Sequence, residues 1–277
     1  MDPMYYQPSG KLPLKTLPAV LLAAACSIPF GWLYAWLIWH IPLVYINFLI
    51  TLGFGGIMAV LMMTALDHGH CRNRWFASLA GLGVGIVGGY AQWAAWLGFV
   101  LADSGTAPGW LYFLSHPEEV WALAWQVNET GVWSLRNSSE AVSGVWLDIV
   151  WGIEAVILLG LPLLGARVQV SKPFSEHAGS WFEKTELSSK YTWVGDSQAF
   201  VSQLESTPAL LREMLQHATE DASQYALASV YQCPGDAHAY FNLENVEVTQ
   251  KDGKEKIERR TVIESFRISA ALVGKLG

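Results

Sequence analysis

The sequence is short of charged residues. Only 15% of its 277 residues are Asp, Glu, Lys or Arg, whereas about one-quarter is usual for a soluble domain. The shortage is concentrated in residues 1–166, which hold five of the 17 Lys and Arg residues. So little charge over so long a stretch excludes an ordinary soluble fold there. It indicates a membrane half, followed by a soluble half that begins at residue 167.

Cysteine and positive charge are also scarce. The three cysteines, Cys26, Cys71 and Cys233, lie far apart in the chain and predict no disulfide framework. The net charge is −7 and no basic stripe occurs, which argues against nucleic acid as a partner. Common motifs of hydrolases, nucleotide-binding enzymes and zinc proteases are missing too. We therefore predict no catalytic residue and no cofactor. Of the three classes of function that we consider for this chain, an enzyme acting on lipid is the least favoured.

Long apolar runs fill the first half of the chain. A helix needs about 20 apolar residues to cross a bilayer, and the runs that qualify are Leu17–Trp39, Leu43–Leu66, Phe76–Ala102 and Val145–Ala166. The sequence thus predicts an α-helical membrane bundle of four transmembrane helices over residues 17–166. An N-terminal tail of residues 1–16 precedes the bundle, and a long loop over residues 103–144 connects the last two helices.

The positions of Lys and Arg orient such a bundle, because these residues are enriched in cytoplasmic loops. Two lie in the N-terminal tail and two more, Arg72 and Arg74, lie in the turn at 67–75. The loop at 103–144 holds Arg136 alone, together with five acidic residues. We therefore expect a multi-pass protein of the bacterial inner membrane with both termini in the cytoplasm and this loop outside.

The turn "DHGHCRNRW" at 67–75 has the residue types of a metal site. Asp67, His68, His70 and Cys71 stand within five positions. Zinc ligands are usually separated by two or more residues so that the chain can wrap around the ion. These residues are too crowded for that, so the sequence favours a charged cytoplasmic turn and predicts no metal.

Small residues recur every four positions in the third apolar run: Ala77, Gly81, Gly85 and Gly89. On a helix they form one stripe. Such a stripe lets a second helix approach closely, and close packing drives helix association in lipid. Contact with another helix of the same chain is the expected use, and self-association through the third helix is the alternative.

Polar residues inside the apolar runs are candidates for function, because a polar group is costly there. The four candidates are Glu154, Gln92, Asp148 and Asn47. Glu154 and Gln92 are predicted at a similar depth, with the other two nearer the outer surface. Glu154 is either a neutral carboxyl hydrogen-bonded to Gln92 or to a backbone carbonyl, or a group that responds to protons or ions. The lack of a basic partner in any apolar run favours the first.

Tryptophan is concentrated toward the outer side of the predicted bundle. The stretch "SHPEEVWALAWQV" in the outer loop matches a helix start, with Ser115 and Glu118 as a capping box and Pro117 in the first turn. This pattern predicts a short helix on the outer membrane surface with Trp121 and Trp125 on one face. These two side chains are candidates for contact with a protein, a lipid or a sugar.

Residues 167–277 predict a small cytoplasmic α+β domain with an antiparallel sheet. The residue pattern predicts helices over 197–206 and 208–220, strands over 225–232, 237–249 and 255–269, a hairpin turn at 251–254 and a bulge near Arg259 and Arg260. Each strand alternates in the manner of a sheet with one buried face.

The segment "PFSEHAGSWFE" begins this domain. Ser175, Ala178 and Gly179 occupy the positions of a C-x-x-C-G zinc knuckle in which neither thiol is present. Without thiols it cannot bind zinc in the usual way. We predict a tight turn with Phe174 and Trp181 in the core, and the sequence leaves open whether the segment is the remnant of a metal site.

Two functions remain after these exclusions. The first is an interaction or regulatory component of a membrane assembly, which includes immunity-type protection against a toxin acting at the membrane. The second is a small proton- or ion-coupled transporter or channel centred on Glu154 and Gln92. Membrane lipid and a protein are the expected partners in the first case. Four apolar helices are compatible with either function.

Overall fold

A computed structural model of the chain describes residues 4–41, 43–102, 109–131, 143–219, 221–251, 254–274 and 276. Arg136 of the outer loop and the hairpin residues Asp252 and Gly253 lie outside these ranges. The chain divides into two compact units. One is Ser9–Ser171, and the other combines Met1–Pro8 with Lys172–Gly277.

The first unit is helical. Its helices are α1 (Thr16–His40), α2 (Val44–Gly69), α3 (Arg74–Ala102), α4 (Trp110–Ser115), α5 (Pro117–Thr130) and α6 (Val145–Ser171). Four of them, α1, α2, α3 and α6, are long and apolar enough to cross a membrane, which confirms the prediction of four long apolar helices. Helix α6 continues to Ser171, so Arg167 lies in the helix and not at the start of the next unit.

The four long helices form a ring in which α1 and α6 each contact both α2 and α3. Glycine permits these contacts at several positions. A Cβ atom on Gly31 of α1 would lie only 2.9 Å from the carbonyl oxygen of Gly88 on α3. The two backbones therefore touch, as expected where packing and not hydrophobicity holds apolar helices together.

Helix α5 starts at Pro117, as predicted, but the expected capping box is wrong. The Ser115 hydroxyl donates to the carbonyl of Tyr112 at 2.9 Å, and α5 has no side-chain cap. The reason is that α4 runs as far as Ser115. Its hydroxyl is therefore used to satisfy a carbonyl at the end of the preceding helix.

The second unit contains the sheet. Its elements are β1 (Phe174–Ser175), β2 (Ser180–Trp181), β3 (Glu183–Thr192), α7 (Ser197–Ser206), α8 (Leu211–Met214), β4 (Gln224–Gln232), β5 (His238–Lys251), β6 (Lys254–Ser269) and α9 (Ala270–Val273). Strands β3 to β6 form an antiparallel sheet in the order β3-β4-β5-β6, and β1 pairs with β2. This confirms an antiparallel sheet region after the long helices. Phe174 is buried and Trp181 half-buried around the short hairpin.

The start of the chain belongs to this sheet unit. The N–H of Tyr6 donates to the carbonyl of Ser265 at 3.0 Å, and the N–H of Arg267 donates to the carbonyl of Met4 at 2.7 Å. Residues 4–6 therefore lie antiparallel beside β6. The sequence did not predict this pairing.

The predicted helix over 208–220 is wrong in its second half. Residues Pro208–Leu210 form a single 3-10 turn and α8 ends at Met214. The following backbone instead pairs with the outer edge of β3, where the N–H of Thr192 donates to Gln216 and the N–H of Ala218 donates to Lys190. An edge strand offers unpaired backbone groups, and these outweigh the helix propensity. Strand β3 itself was not predicted, because it is polar on both faces.

The predicted bulge near Arg259 and Arg260 is also wrong. The register of β6 against β5 shifts between Phe266 and Thr261. Ile263 and Phe266 both face the core although they are three positions apart, which regular alternation does not allow. The N–H of Ser265 in the bulge donates to the side-chain oxygen of Asn242 at 2.7 Å.

Candidate functional site

A carboxyl group inside the ring of long helices forms the first candidate site. Glu154 of α6 accepts a hydrogen bond of 2.6 Å from the phenol of Tyr34 on α1. The same phenol lies 2.9 Å from the hydroxyl of Thr51 on α2. Three helices thus meet at one polar cluster, which we call the Tyr34 cluster. A buried polar network of this kind fixes the relative positions of its helices.

Tyr34 is held firmly in this cluster. Its side chain is only 4% exposed and its ring stacks on Phe54 with centroids 5.0 Å apart. The Thr51 hydroxyl donates in turn to the carbonyl of Asn47, one helical turn away. The side chain of Asn47 is different, because its buried Oδ1 has no hydrogen-bond partner among the described residues.

Beside Glu154, a cleft of about 200 Å³ opens between α3 and α6. Gln92 and Glu154 are its polar wall residues, and Tyr90, Trp93 and Trp151 contribute aromatic surface. The rings of Trp93 and Trp151 meet edge to face, with centroids 4.8 Å apart. The cleft therefore offers one carboxyl and one amide within an apolar, aromatic wall.

The structure brings Glu154 and Gln92 to the same cleft, but the carboxyl accepts its hydrogen bond from Tyr34, which was not one of the two expected partners, Gln92 or a backbone carbonyl. Asp148 lies elsewhere. It accepts a bond of 2.8 Å from the amide of Asn128, which ties the end of α5 to the start of α6. Asp148 and Glu154 do not form a pair of acids.

The stripe of small residues lies against α6 for half of its length. A Cβ on Gly81 would lie 2.7 Å from the carbonyl of Pro162, and one on Gly85 would lie 2.7 Å from that of Leu158. Ala77 is fully buried as well. Gly89, in contrast, opens onto the cleft, and an added Cβ would meet no atom within 4 Å. The middle of the stripe is therefore occupied by a contact within the chain.

The two candidate tryptophans of α5 lie together on its exposed face. Trp121 is 68% exposed and Trp125 is 56% exposed, and their rings meet edge to face at 6.0 Å. The opposite side of the helix is anchored by buried Val120 and Asn128. The pair is a free aromatic surface on an otherwise fixed helix.

The turn at 67–75 is a hydrogen-bonded junction. The backbone N–H of Arg72 donates to the carbonyl of Lys11, and Gln169 of α6 donates to Asp67 at 2.7 Å. Burial raises the pKa of the Cys71 thiol, which disfavours the thiolate that metals need. No group of three or more metal-ligating side chains comes together in the part of the chain that the structure describes.

A second polar cluster lies in the sheet unit, where the β1–β2 turn meets the turn after β4. The Ser175 hydroxyl donates to Asp236 at 2.6 Å, and the N–H of His238 donates to the other oxygen of the same carboxyl at 3.0 Å. Burial alone raises the pKa of the Asp236 carboxyl, but the bond from Ser175 and the interactions with the backbone and side chain of His238 together outweigh it and hold the pKa below its usual value. Asp236 is therefore an ionised acceptor that joins the two turns.

Comparison with known proteins adds no assignment to this geometry. The chain matches no family model, no curated protein and no solved structure. The contacts described above are therefore the basis for a functional proposal.

Sequence reasoning missed the two residues that hold Glu154. Tyr34 and Thr51 are ordinary members of apolar helices, and neither carries a charge that would mark it. A signal was available, since an intramembrane carboxyl requires a donor. Hydroxyl-bearing residues in the other predicted spans, at the depth of Glu154, are the candidates for that donor.

Proposed function

We propose that the protein is a multi-pass protein of the bacterial inner membrane that acts as an interaction or regulatory component of a membrane assembly. Both termini lie in the cytoplasm, where the sheet unit meets a protein partner. Immunity-type protection at the membrane is one form that such a role takes. The long helices serve as the anchor and the contact surface within the bilayer.

The hydrogen bond between Tyr34 and Glu154 is the observation that carries this proposal. A carboxyl that already accepts a bond from its own bundle joins two helices without needing a substrate. A transport site requires a carboxyl that is released during each cycle. Tyr34 is buried, and its hydroxyl lies between the Glu154 carboxyl and the Thr51 hydroxyl, so Glu154 is a structural residue in this proposal.

An extended ribbon in the sheet unit supports a protein partner. Strand β4 is paired with β5 only as far as Glu247, so beyond that point β5 and β6 continue as a two-stranded ribbon. Ile257 of this ribbon is 56% exposed and stands between the charged residues Lys256 and Glu258. In this proposal a partner covers Ile257 at the centre of the contact and meets the charged neighbours at its polar rim.

The pairing of residues 4–6 with β6 supports the orientation. These residues precede the first long helix, whereas β6 follows the last one. The two segments bond only if they lie on the same side of a membrane, and four crossings bring the chain back to its starting side. Arg72 and Arg74 then fall on that side too, which is the cytoplasm by their charge.

A second candidate function is supported by the cleft. Glu154 and Gln92 both line it, and an apolar cleft that carries a few polar groups between membrane helices is where a proton- or ion-coupled transporter binds its substrate. In that case Glu154 exchanges its bond to Tyr34 for a bond to the transported species.

Flux through proteoliposomes separates the two functions. The samples are the natural protein, Glu154→Gln and the matched control Asp148→Asn, which keeps an acceptor for Asn128. We expect no flux from the natural protein under any imposed proton or sodium gradient. Flux that is present in the natural protein and in Asp148→Asn but lost in Glu154→Gln establishes the transporter instead.

Photo-crosslinking in intact membranes tests the partner directly. A crosslinking amino acid at Ile257 is expected to give one discrete protein adduct, and the same group at the buried position Ile263 serves as the matched control. An adduct that persists when the hairpin neighbours Lys256 and Glu258 are reversed in charge contradicts a docking role for the ribbon. Absence of any protein adduct at Ile257, together with measurable flux, removes the interaction proposal.

A further inference from the structure

The side-chain amide of Gln92 is buried in the helical unit without a hydrogen-bond partner. Gln92 is only 6% exposed and lines the cleft between α3 and α6. Its amide makes no hydrogen bond to any part of the chain that the structure describes. A buried amide without a partner costs free energy, so a ligand in the cleft that bonds to Gln92 is favoured.

Glu154 contributes a second unused polar atom to the same cleft. Its Oε1 accepts the 2.6 Å bond from the phenol of Tyr34. Its Oε2 accepts no hydrogen bond from the described residues. Because a carboxylate accepts at both of its oxygens, a ligand has room to bind Oε2 while Tyr34 keeps Oε1. Ligand binding here is therefore compatible with the bond that joins α1 to α6.

The rest of the cleft wall is apolar or aromatic, and no Lys, Arg or His is among its described lining residues. The Tyr90 hydroxyl donates to the carbonyl of Phe113 at 2.6 Å, so Tyr90 offers the cleft its ring. Trp93 and Trp151 add two indole rings. Aromatic ring faces attract cations, and a carboxylate in an apolar wall requires a positive partner. The wall therefore favours a cationic ligand and disfavours an anion.

The size and position of the cleft limit the ligand further. A cavity of about 150 Å³ binds benzene, and this cleft of about 200 Å³ has room for one aromatic ring with a small head group. Ile86 on its wall is 60% exposed, so the cleft opens on the outer side of the ring of helices. In a membrane that side faces lipid, so the ligand must be apolar enough to reach it.

We propose that the cleft between α3 and α6 is a binding site for a lipophilic organic cation, such as an aromatic ammonium compound. The ammonium group pairs with Glu154 Oε2 and with the amide oxygen of Gln92, and the apolar body lies against Trp93 and Trp151. Such a cation sheds its hydration shell more easily than a compact ion does, which suits an apolar wall. The inference rests on the use of the cleft in the second candidate function and adds the class of its ligand.

Equilibrium dialysis of the full chain in an uncharged detergent tests the proposal, with labelled phenyltrimethylammonium as the probe. We expect one saturable site per chain. tert-Butylbenzene has the same shape without the charge and should compete roughly tenfold more weakly or worse. Glu154→Gln keeps an acceptor for Tyr34 and removes the charge, so it should weaken binding by roughly tenfold or more. Asp148→Asn, which lies outside the cleft, should leave the affinity unchanged.

Filling the cleft provides a second test that does not alter the carboxyl. Gly89 lines the cleft, and an added Cβ there meets no atom within 4 Å. Gly89→Leu should therefore fold and should abolish saturable binding. The matched control is Gly83→Leu on the same helix, which has equally open surroundings but does not line the cleft, and it should bind as the natural chain does.

Three results would overturn the proposal: no saturable binding by the natural chain, equal competition by tert-butylbenzene, or unchanged binding in folded Gly89→Leu. Because dialysis needs no gradient, binding and transport give separate answers. Binding without any flux in proteoliposomes supports the cation site and counts against the transporter. Proton or sodium flux without binding of the probe overturns the cation site and leaves the transporter standing.

Discussion

The phenol of Tyr34 donates to the carboxyl of Glu154 at 2.6 Å and so connects the first long helix to the last across 120 positions of sequence. The bond predicts different effects on stability for two variants, Glu154→Gln and Tyr34→Phe. Glutamine at 154 keeps an oxygen that accepts from Tyr34, whereas phenylalanine at 34 leaves the carboxyl without its donor. The two partners of one bond are therefore expected to respond differently to mutation.

We expect Tyr34→Phe to destabilise the helical unit by roughly 1–3 kcal/mol, the usual cost of leaving a buried polar group unsatisfied. Glu154→Gln should unfold within experimental error of the natural protein. Thermal unfolding in detergent measures both. Equal stability of Tyr34→Phe and the natural protein contradicts a structural role for the bond.

Gly85→Leu should damage the bundle, because a Cβ at this position already lies 2.7 Å from the carbonyl of Leu158 and 3.1 Å from Leu159. Overpacking typically costs about 1–3 kcal/mol. Gly83→Leu on the same helix is the control, since an added Cβ there meets no atom within 4 Å. Unfolding temperatures in detergent that fall equally for both variants would rule out a close contact between α3 and α6.

The proposed orientation predicts opposite labelling of two exposed serines, Ser115 and Ser269. Each is replaced by cysteine in a background without Cys26, Cys71 and Cys233. An impermeant thiol reagent should label Ser115→Cys in intact cells and Ser269→Cys only after the membrane is opened. Labelling of Ser269→Cys in intact cells would place the sheet unit outside.

Tyr5 predicts a pH dependence for attachment of the N-terminal segment. Burial, followed by the 2.7 Å hydrogen bond to Glu205 and the charge of that residue, raises its pKa from 10.0 to about 12. A group whose pKa is higher in the folded chain than in the unfolded chain contributes its full stabilisation at pH values below its unfolded pKa. This stabilisation is lost as the pH rises through its folded pKa. The stability conferred by Tyr5 should thus be complete below pH 10 and lost on passing pH 12.

The unfolding temperature of Tyr5→Phe relative to the natural protein measures this effect. The difference between them should be constant below pH 10 and should shrink between pH 10 and pH 12. Phenylalanine retains the ring contact with Phe266, so the comparison isolates the hydroxyl. A difference that stays constant across this range would show that the Tyr5–Glu205 bond contributes nothing.

Local sequence pattern determined the parts of the structure that depend on one segment at a time. Four apolar runs of sufficient length specified four long helices, because a helix satisfies its backbone within itself. Asp196 marked the start of α7, where its carboxyl accepts from the N–H of Ala199. The alternating segments around the hairpin specified β4, β5 and β6 to within a few residues.

Only the tertiary structure decided which residues meet. The long helices are apolar on all sides, so no periodic face marked Tyr34 as the residue that points to Glu154. The pairing of residues 216–218 with β3, and of residues 4–6 with β6, likewise depends on unpaired strand edges that exist only after the sheet has formed. Two turns about 60 positions apart became one cluster for the same reason, because the contact between Ser175 and Asp236 is made by folding and is encoded in neither turn alone.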